Sequence, residues 1–215
     1  MFDAAAAAAD PAVRSTDPDL SVTAKVDYVE RNKAVWEQLA PAYIVAGRKA
    51  WNTDELRWGL WGKRESELGI LEGFGSGEDA IELGCGTAAI SAWLARRGLR
   101  PVGVDIARAQ LHNAEVLQNE FNLRFPLIRT NAEQVAFEND SFDLAVSEYG
   151  ASLWCDPRRW LPEANRLLRP EGRLVFFTNS ALLLTCTPYE GGPVGDRLLR
   201  DYFSRYRVEF DRDGA

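Results

Sequence analysis

The stretch Glu82-Leu83-Gly84-Cys85-Gly86-Thr87-Ala88 decides the fold. It grows out of an apolar run, Ala80–Leu83, that reads as a strand. It opens a segment from about Thr87 to Arg97 in which Ile90, Trp93 and Leu94 recur at helical spacing before Gly98 ends it. Glycines at 84 and 86 permit a tight turn and let backbone N–H groups approach a ligand at a helix N-terminus. Alone, the loop is a weak signal. An ordinary strand-to-helix turn has the same appearance. Gly84-x-Gly86-x-x-Ala89 also satisfies the dinucleotide spacing, with Asp105 where such proteins hold a ribose hydroxyl.

Downstream, strands and helices alternate. Val102–Val104 is a strand ending on Asp105, and a helix covers about Ala107 to Phe121 with Leu111, Ala114, Leu117 and Phe121 as its inner stripe. Strands follow at Leu127–Arg129 and Phe142–Val146. Asp156-Pro157 supplies an N-cap and a first-turn proline for a helix over about Arg158–Leu168. Pro170-Glu171-Gly172 turns the chain into the strand Leu174–Phe177, whose apolar run suits a sheet covered on both faces. This alternation predicts an α/β fold, a Rossmann-like doubly wound and mostly parallel sheet with helices on both faces.

Upstream, Tyr28, Val35 and Leu39 space out a helix that Pro41 is expected to end at Ala40, and Ala42–Leu71 reads as short helices joined by bends at Gly47, Gly59 and Gly62. The expected organisation is a disordered tail over 1–22, a helical lid over 23–77 and the sheet domain over 78–215. A last helix is expected over about Val194–Tyr206, followed by a short strand at Val208–Phe210.

Composition bounds the function. A net charge of −7 offers no footprint for nucleic acid, and the arginines of 158–173 alternate with Asp156, Glu163 and Glu171 as a solvated helix face. The alanine run Ala4–Ala9 is too short for a membrane span and lacks the basic start of a secretory peptide, so no membrane association is expected. Three dispersed cysteines and one histidine argue against a metal site and for a reducing cytoplasm. Cys155 reads as a small packed residue rather than a nucleophile, and His112 as a surface or packing residue on its helix.

The segments beyond the loop make the pattern specific. Glu82–Ala88 resembles motif I of class I S-adenosylmethionine-dependent methyltransferases. It is joined in order by Val104-Asp105, Asn131-Ala132-Glu133, Phe142–Ser147 and Leu167–Gly172. The resemblance covers residues 78–180 and is similar to the methyltransferase-11 type group, which includes quinone-biosynthesis enzymes. It departs from the usual pattern at Ala88, in place of the third motif glycine, at Asn131, where aspartate is frequent, and at Glu171, in place of a turn glycine.

The resemblance implies S-adenosylmethionine as cofactor, with S-adenosylhomocysteine as product, and a small-molecule methyl acceptor. Glu82 would orient the loop, and Gly84, Cys85 and Gly86 would approach the methionine and ribose. Asp105, with Ile106 beside it, would accept both ribose hydroxyls, a task suited to two carboxylate oxygens. Asn131, Ala132 and Glu133 would face the adenine. Backbone carbonyls at Ser147 and Glu148 would hold the ammonium, and Arg48 and Tyr43 would reach the cofactor carboxylate. Where the acceptor must lose a proton, Glu148 and Tyr149 are the candidate bases. Trp58 and Trp61 read either as core or as the aromatic wall of a lid.

Two other functions stay open at this point. A nicotinamide-dependent oxidoreductase rests only on the Gly84/Gly86/Ala89 spacing. A non-catalytic adenosylmethionine-binding partner subunit rests on the short stretch after Phe177, which predicts a missing C-terminal edge strand. That open edge would allow a homodimer to form through it.

Overall fold

The computed structural model describes residues 22–188 and 193–203, with backbone only for 22–27. The chain forms two compact units, Val26–Thr178 and a second that includes Asn179 onward. Residues 1–21 of the tail expected over 1–22, and the strand expected at Val208–Phe210, lie outside the described residues, and Val22 begins a helix.

The larger unit is built on a five-stranded parallel sheet. Its strands are β3 (Asp79–Leu83), β4 (Arg100–Asp105), β5 (Leu127–Arg129), β6 (Phe142–Glu148) and β7 (Leu168–Phe177), in the order β5-β4-β3-β6-β7. Strand order reverses between β3 and β6, and in open α/β sheets the ligand crevice lies at the carboxyl ends of the strands at such a reversal. Both central strands end in the segments singled out above, Gly84–Ala88 after β3 and Tyr149–Gly150 after β6.

Alternation along the strands buries both faces. Ile81, Leu83 and Ala145 pack with Trp160, Ala164 and Leu167. Ala80, Leu144 and Val146 pack with Ile90, Trp93 and Leu94. These two clusters seat α6 (Pro157–Leu167) and α3 (Ala89–Arg96) on opposite faces, as the period of two requires. Asp156 caps α6, its Oδ1 accepting the Arg158 N–H at 2.9 Å.

Three local readings change. Helix α1 runs Val22–Trp51 with Pro41 inside it, so the proline does not end it at Ala40. An interior proline costs about 3 kcal/mol. Partners on both sides of it offset that cost. The Ala40 carbonyl accepts from Asn113 Nδ2 at 2.7 Å, and Trp51 Nε1 donates to the Thr87 carbonyl at 2.8 Å.

Next, 52–71 is a hairpin, β1 (Arg57–Trp58) and β2 (Lys63–Arg64), followed by the single turn α2 (Glu65–Leu68), in place of several short helices. Gly59 and Gly62 frame its turn at φ 67 and 58, a conformation that suits a hairpin and breaks a helix.

Finally, β7 begins at Leu168. Leu168 pairs with Phe142 and Arg173 with Leu144, so Arg169–Gly172 bulges out of the ladder, with Glu171 at φ 67. The residue standing in place of a family glycine occupies a left-handed position.

In the smaller unit, α7 (Ala181–Cys186) is capped at its start by Ser180 Oγ, which accepts the Leu183 N–H at 3.1 Å. The Arg200 guanidinium donates to the Leu184 carbonyl at its end. Residues 194–203, expected to begin a helix, form bends and turns. Gly195, Leu199 and Arg200 spend their hydrogen bonds on the segment Leu184–Thr187 instead of on a helix of their own. No helix among the described residues is long and apolar enough to cross a membrane.

Candidate cofactor site

The loop after β3 is held from below. The Gly84 and Cys85 N–H groups both donate to the Val104 carbonyl at 2.9 Å, which curls the chain over the end of β4. Gly84 has φ 75 and lies so close to the chain after β6 that a Cβ there would stand 2.6 Å from the Ala151 nitrogen. Gly86 (φ 53) and Ala88 (φ 55) continue the left-handed course into α3.

Three carboxylates surround this loop. Glu82 is buried and accepts from the Ser91 N–H at 2.8 Å and Ser91 Oγ at 2.5 Å, tying β3 to α3. Burial, opposed by these bonds and reinforced by Glu148 and Asp105, pushes its pKa up to about 7. Asp105 Oδ2 accepts the Gly86 N–H at 2.9 Å and Oδ1 the Ala107 N–H at 2.8 Å. Burial raises its pKa, and the bonds to Ala107, Gly86 and Ile106 oppose that. Glu148 Oε1 accepts the Gly59 N–H at 2.6 Å, and burial raises its pKa too. The charged groups that act most on Glu82 are the neighbouring carboxylates Glu148 and Asp105.

Such a corner favours a cationic guest and disfavours a pyrophosphate. A sulfonium with an adjacent ammonium fits it. The cradle at Gly86 fits as well, because the space where a Cβ would stand meets only one atom within 4 Å, Gln110 Oε1.

The remaining expected residues fall into two groups. Asn131 Oδ1 accepts the Glu133 N–H at 3.0 Å, an Asx turn that presents the Asn131-Ala132 backbone beyond β5. Ser147 Oγ donates to the Leu83 carbonyl at 2.7 Å and accepts the Ser152 N–H at 3.1 Å, locking the ends of β3 and β6 together. Tyr149, at φ 51, brings its hydroxyl beside Gly59, so the tip of the β1–β2 hairpin meets both candidate bases. Trp58 on that hairpin is 1% exposed and stacked on Phe177, whereas Trp61 at the tip is 86% exposed. The first is core, and the second is exposed to solvent at the hairpin tip.

The structure does not bring Arg48 or Glu133 to this corner. Because α1 continues past Pro41, Arg48 lies against the far end of α4 (Arg108–Glu120) and donates to both oxygens of Glu120 at 2.8 Å. Twelve residues of helix put that pair about 18 Å from the start of α4. The Glu133 carboxylate is consumed as a clamp by Tyr28 Oη, by the Asp156 N–H at 2.9 Å and by Arg159 at 2.8 Å. Tyr43 stands edge-on to Trp36, which in turn meets Trp154. Burial pushes the Cys155 thiol up to about 12, so it is no nucleophile near neutral pH.

Sequence reading passed over two residues. Glu37 of α1 accepts the Arg108 and Ala109 N–H groups at 2.7 and 2.8 Å, capping α4 beside Asp105. Gln110, the other, occupies the inner face of α4. A glutamine one turn ahead of Ala114 in an apolar stripe was the available signal.

Residues 81–176 match the family model described as a methyltransferase domain. Over 101 residues the chain is 32% identical to a demethylmenaquinone methyltransferase of Clavibacter sepedonicus, covering 46% of this chain and 40% of that one. It is 29% identical over 174 residues to a malonyl-[acyl-carrier protein] O-methyltransferase of Hahella chejuensis, covering 78% and 57%. A solved putative S-adenosylmethionine-dependent methyltransferase from Methanococcus maripaludis shares the fold, with a TM-score of 0.50, 17% identity and coverage of 68% and 62%. The chain thus spans about half the length of the curated relatives it matches. The site described above lies within or next to the matched domain.

Proposed function

We propose that the protein transfers a methyl group from S-adenosylmethionine to a small-molecule acceptor. The observation that carries this reading is the cluster of three carboxylates, Glu82, Asp105 and Glu148, around a glycine loop. A dinucleotide would bring two negative phosphates to it, whereas an adenosyl sulfonium brings positive charge. The named relatives act as methyltransferases by their descriptions, which agrees with that choice.

Bound S-adenosylmethionine supplies an already activated methyl group, so the protein's part is alignment and exclusion of water. Asp105 and the Gly86 backbone would hold the ribose, and Asn131 and Ala132 the adenine. Carbonyls at the end of β6 would hold the ammonium. Glu148 keeps one oxygen on Gly59 and has Oε2 for an acceptor proton, with Tyr149 beside it. A raised pKa suits Glu148 to that transfer near neutral pH. The unpaired thiols Cys85, Cys155 and Cys186 support a reducing compartment such as the cytoplasm.

Calorimetric titration with S-adenosylmethionine, S-adenosylhomocysteine and NADH tests the reading. Binding of the two adenosyl ligands without NADH is the expected result, and binding of NADH alone would overturn it.

A further inference from the structure

Gln110 is 2% exposed, and its side-chain oxygen accepts no hydrogen bond in the structure. A buried acceptor without a donor is uncommon, because desolvation without replacement costs free energy, and such atoms often mark a missing partner. Its surroundings show where that partner belongs. The oxygen lies 3.9 Å from the point at which a Cβ on Gly86 would stand, and no other atom outside the loop comes within 4 Å of that point. The N–H of the same glycine donates to Asp105 Oδ2 at 2.9 Å. One residue without a side chain is therefore flanked by two acceptors, a carboxylate from the end of β4 and an amide oxygen from the first turn of α4.

We infer that Gln110 is a cofactor-binding residue whose amide oxygen accepts a hydroxyl of the ribose, so that Asp105 and Gln110 share the diol. The inference rests on the methyltransferase reading and extends it to a residue with no part in the motifs. Among the donors of an adenosyl ligand, the ribose hydroxyls are the ones that Asp105 and Gly86 are placed to meet. The adenine amino group is assigned to Asn131, in the loop that follows β5. Glutamine suits the position because its oxygen accepts without adding a further charge beside Asp105 and Glu82.

The test compares wild type, Gln110→Met and Gln110→Glu by calorimetric titration with S-adenosylhomocysteine and with its 2′-deoxy and 3′-deoxy analogues. Methionine keeps the length and volume but lacks the acceptor, and glutamate keeps an acceptor oxygen. Wild type is expected to bind the parent about 5- to 20-fold more tightly than at least one deoxy analogue, as for a single hydrogen bond. Gln110→Met should lose a similar factor for the parent and nothing for that analogue, and Gln110→Glu should retain the preference.

Loss of affinity by Gln110→Met in equal measure for the parent and both analogues would show a packing role and overturn the inference. So would unchanged affinities throughout. If Gln110→Met does not fold, Gln110→Leu, which also lacks the acceptor, takes its place with the same expected and overturning results. Failure of wild type to bind S-adenosylhomocysteine at all would instead remove the methyltransferase reading, and the inference with it.

Discussion

Gly84 and Gly150 touch through their backbones. A Cβ on Gly84 would stand 2.8 Å from Gly150 Cα, and a Cβ on Gly150 would run into the Gly84 carbonyl oxygen. The loops that leave the two central strands are thus in contact at the point where the strand order reverses, with no room for a methyl group between them.

Gly150→Ala should therefore be destabilising by about 1–3 kcal/mol, the usual cost of overpacking. It should also weaken S-adenosylhomocysteine binding more than that loss alone explains, because the loop must shift to relieve the clash. Urea denaturation and titration of the same variant measure both effects.

Ala88 and Glu171 hold left-handed backbone at φ 55 and 67, where glycine is free of strain. Glu171 is exposed, so Glu171→Gly should raise stability by about 1 kcal/mol. Ala88 is fully buried among Cys85, Leu111 and Ala114, and Ala88→Gly gives up about 0.8 kcal/mol of methyl burial. A thermal-denaturation midpoint that rises for the first and hardly moves for the second is the expected pair of results.

Glu82, Asp105 and Glu148 all have folded-state pKa values raised mainly by burial, Glu82 to about 7. For a carboxyl whose folded pKa lies above its unfolded value, the folded state binds more protons between the two. The contribution is complete below the unfolded pKa and is lost as pH rises through the folded one. Stability of the ligand-free protein should fall between about pH 4.5 and 7, by a few kcal/mol in urea midpoints converted to free energy. Glu82→Gln should flatten the slope. A slope of the opposite sign would mean that these groups are not held protonated.

The hairpin divides its two tryptophans sharply. Trp58→Ala should cost about 3–5 kcal/mol, because it empties a core position and strands the Glu65 carboxylate that accepts its N–H at 2.6 Å. Trp61→Ala should leave stability within about 0.5 kcal/mol. Parallel denaturation curves separate the two.

Arg48→Ala should leave the dissociation constant for S-adenosylhomocysteine within about twofold of wild type. Its guanidinium serves the surface pair with Glu120, worth under about 1 kcal/mol. A tenfold weakening would return Arg48 to the cofactor.

The sheet and its loops were legible because their signals are local. Period-two apolar runs ended on Gly84, Asp105 and Ser147, and the Asp156-Pro157 cap sat where a cap belongs. What was not legible depended on contacts far along the chain. Pro41 is a stop signal read locally, and contacts remote in sequence, with Asn113 and Thr87 among them, keep the helix running. Arg48 looked free to reach a carboxylate because nothing near it in sequence is Glu120. Ser147 was expected to offer its carbonyl, and the lock that its side chain makes with Leu83 needed the strand order to be known. Gln110 was hidden by its own stripe, in which a single polar residue reads as noise until the space beside Gly86 is seen.

Helix α1 bears on how the chain assembles as it is made. Its side-chain bonds reach partners distant in sequence, with separations of 71 for Arg108, 105 for Glu133 and 122 for the Trp154 carbonyl, which Asn32 meets. During synthesis α1 emerges before all of these partners, and its full set of contacts waits until β6 and α5 (Ala151–Trp154) have followed it. Docking of α1 is therefore a late event with a long loop to close, after the sheet's local βαβ units have formed. Until then its aromatic face, Trp36 and Tyr43 included, is open to other molecules, and nascent chains stalled before residue 150 should be the aggregation-prone ones.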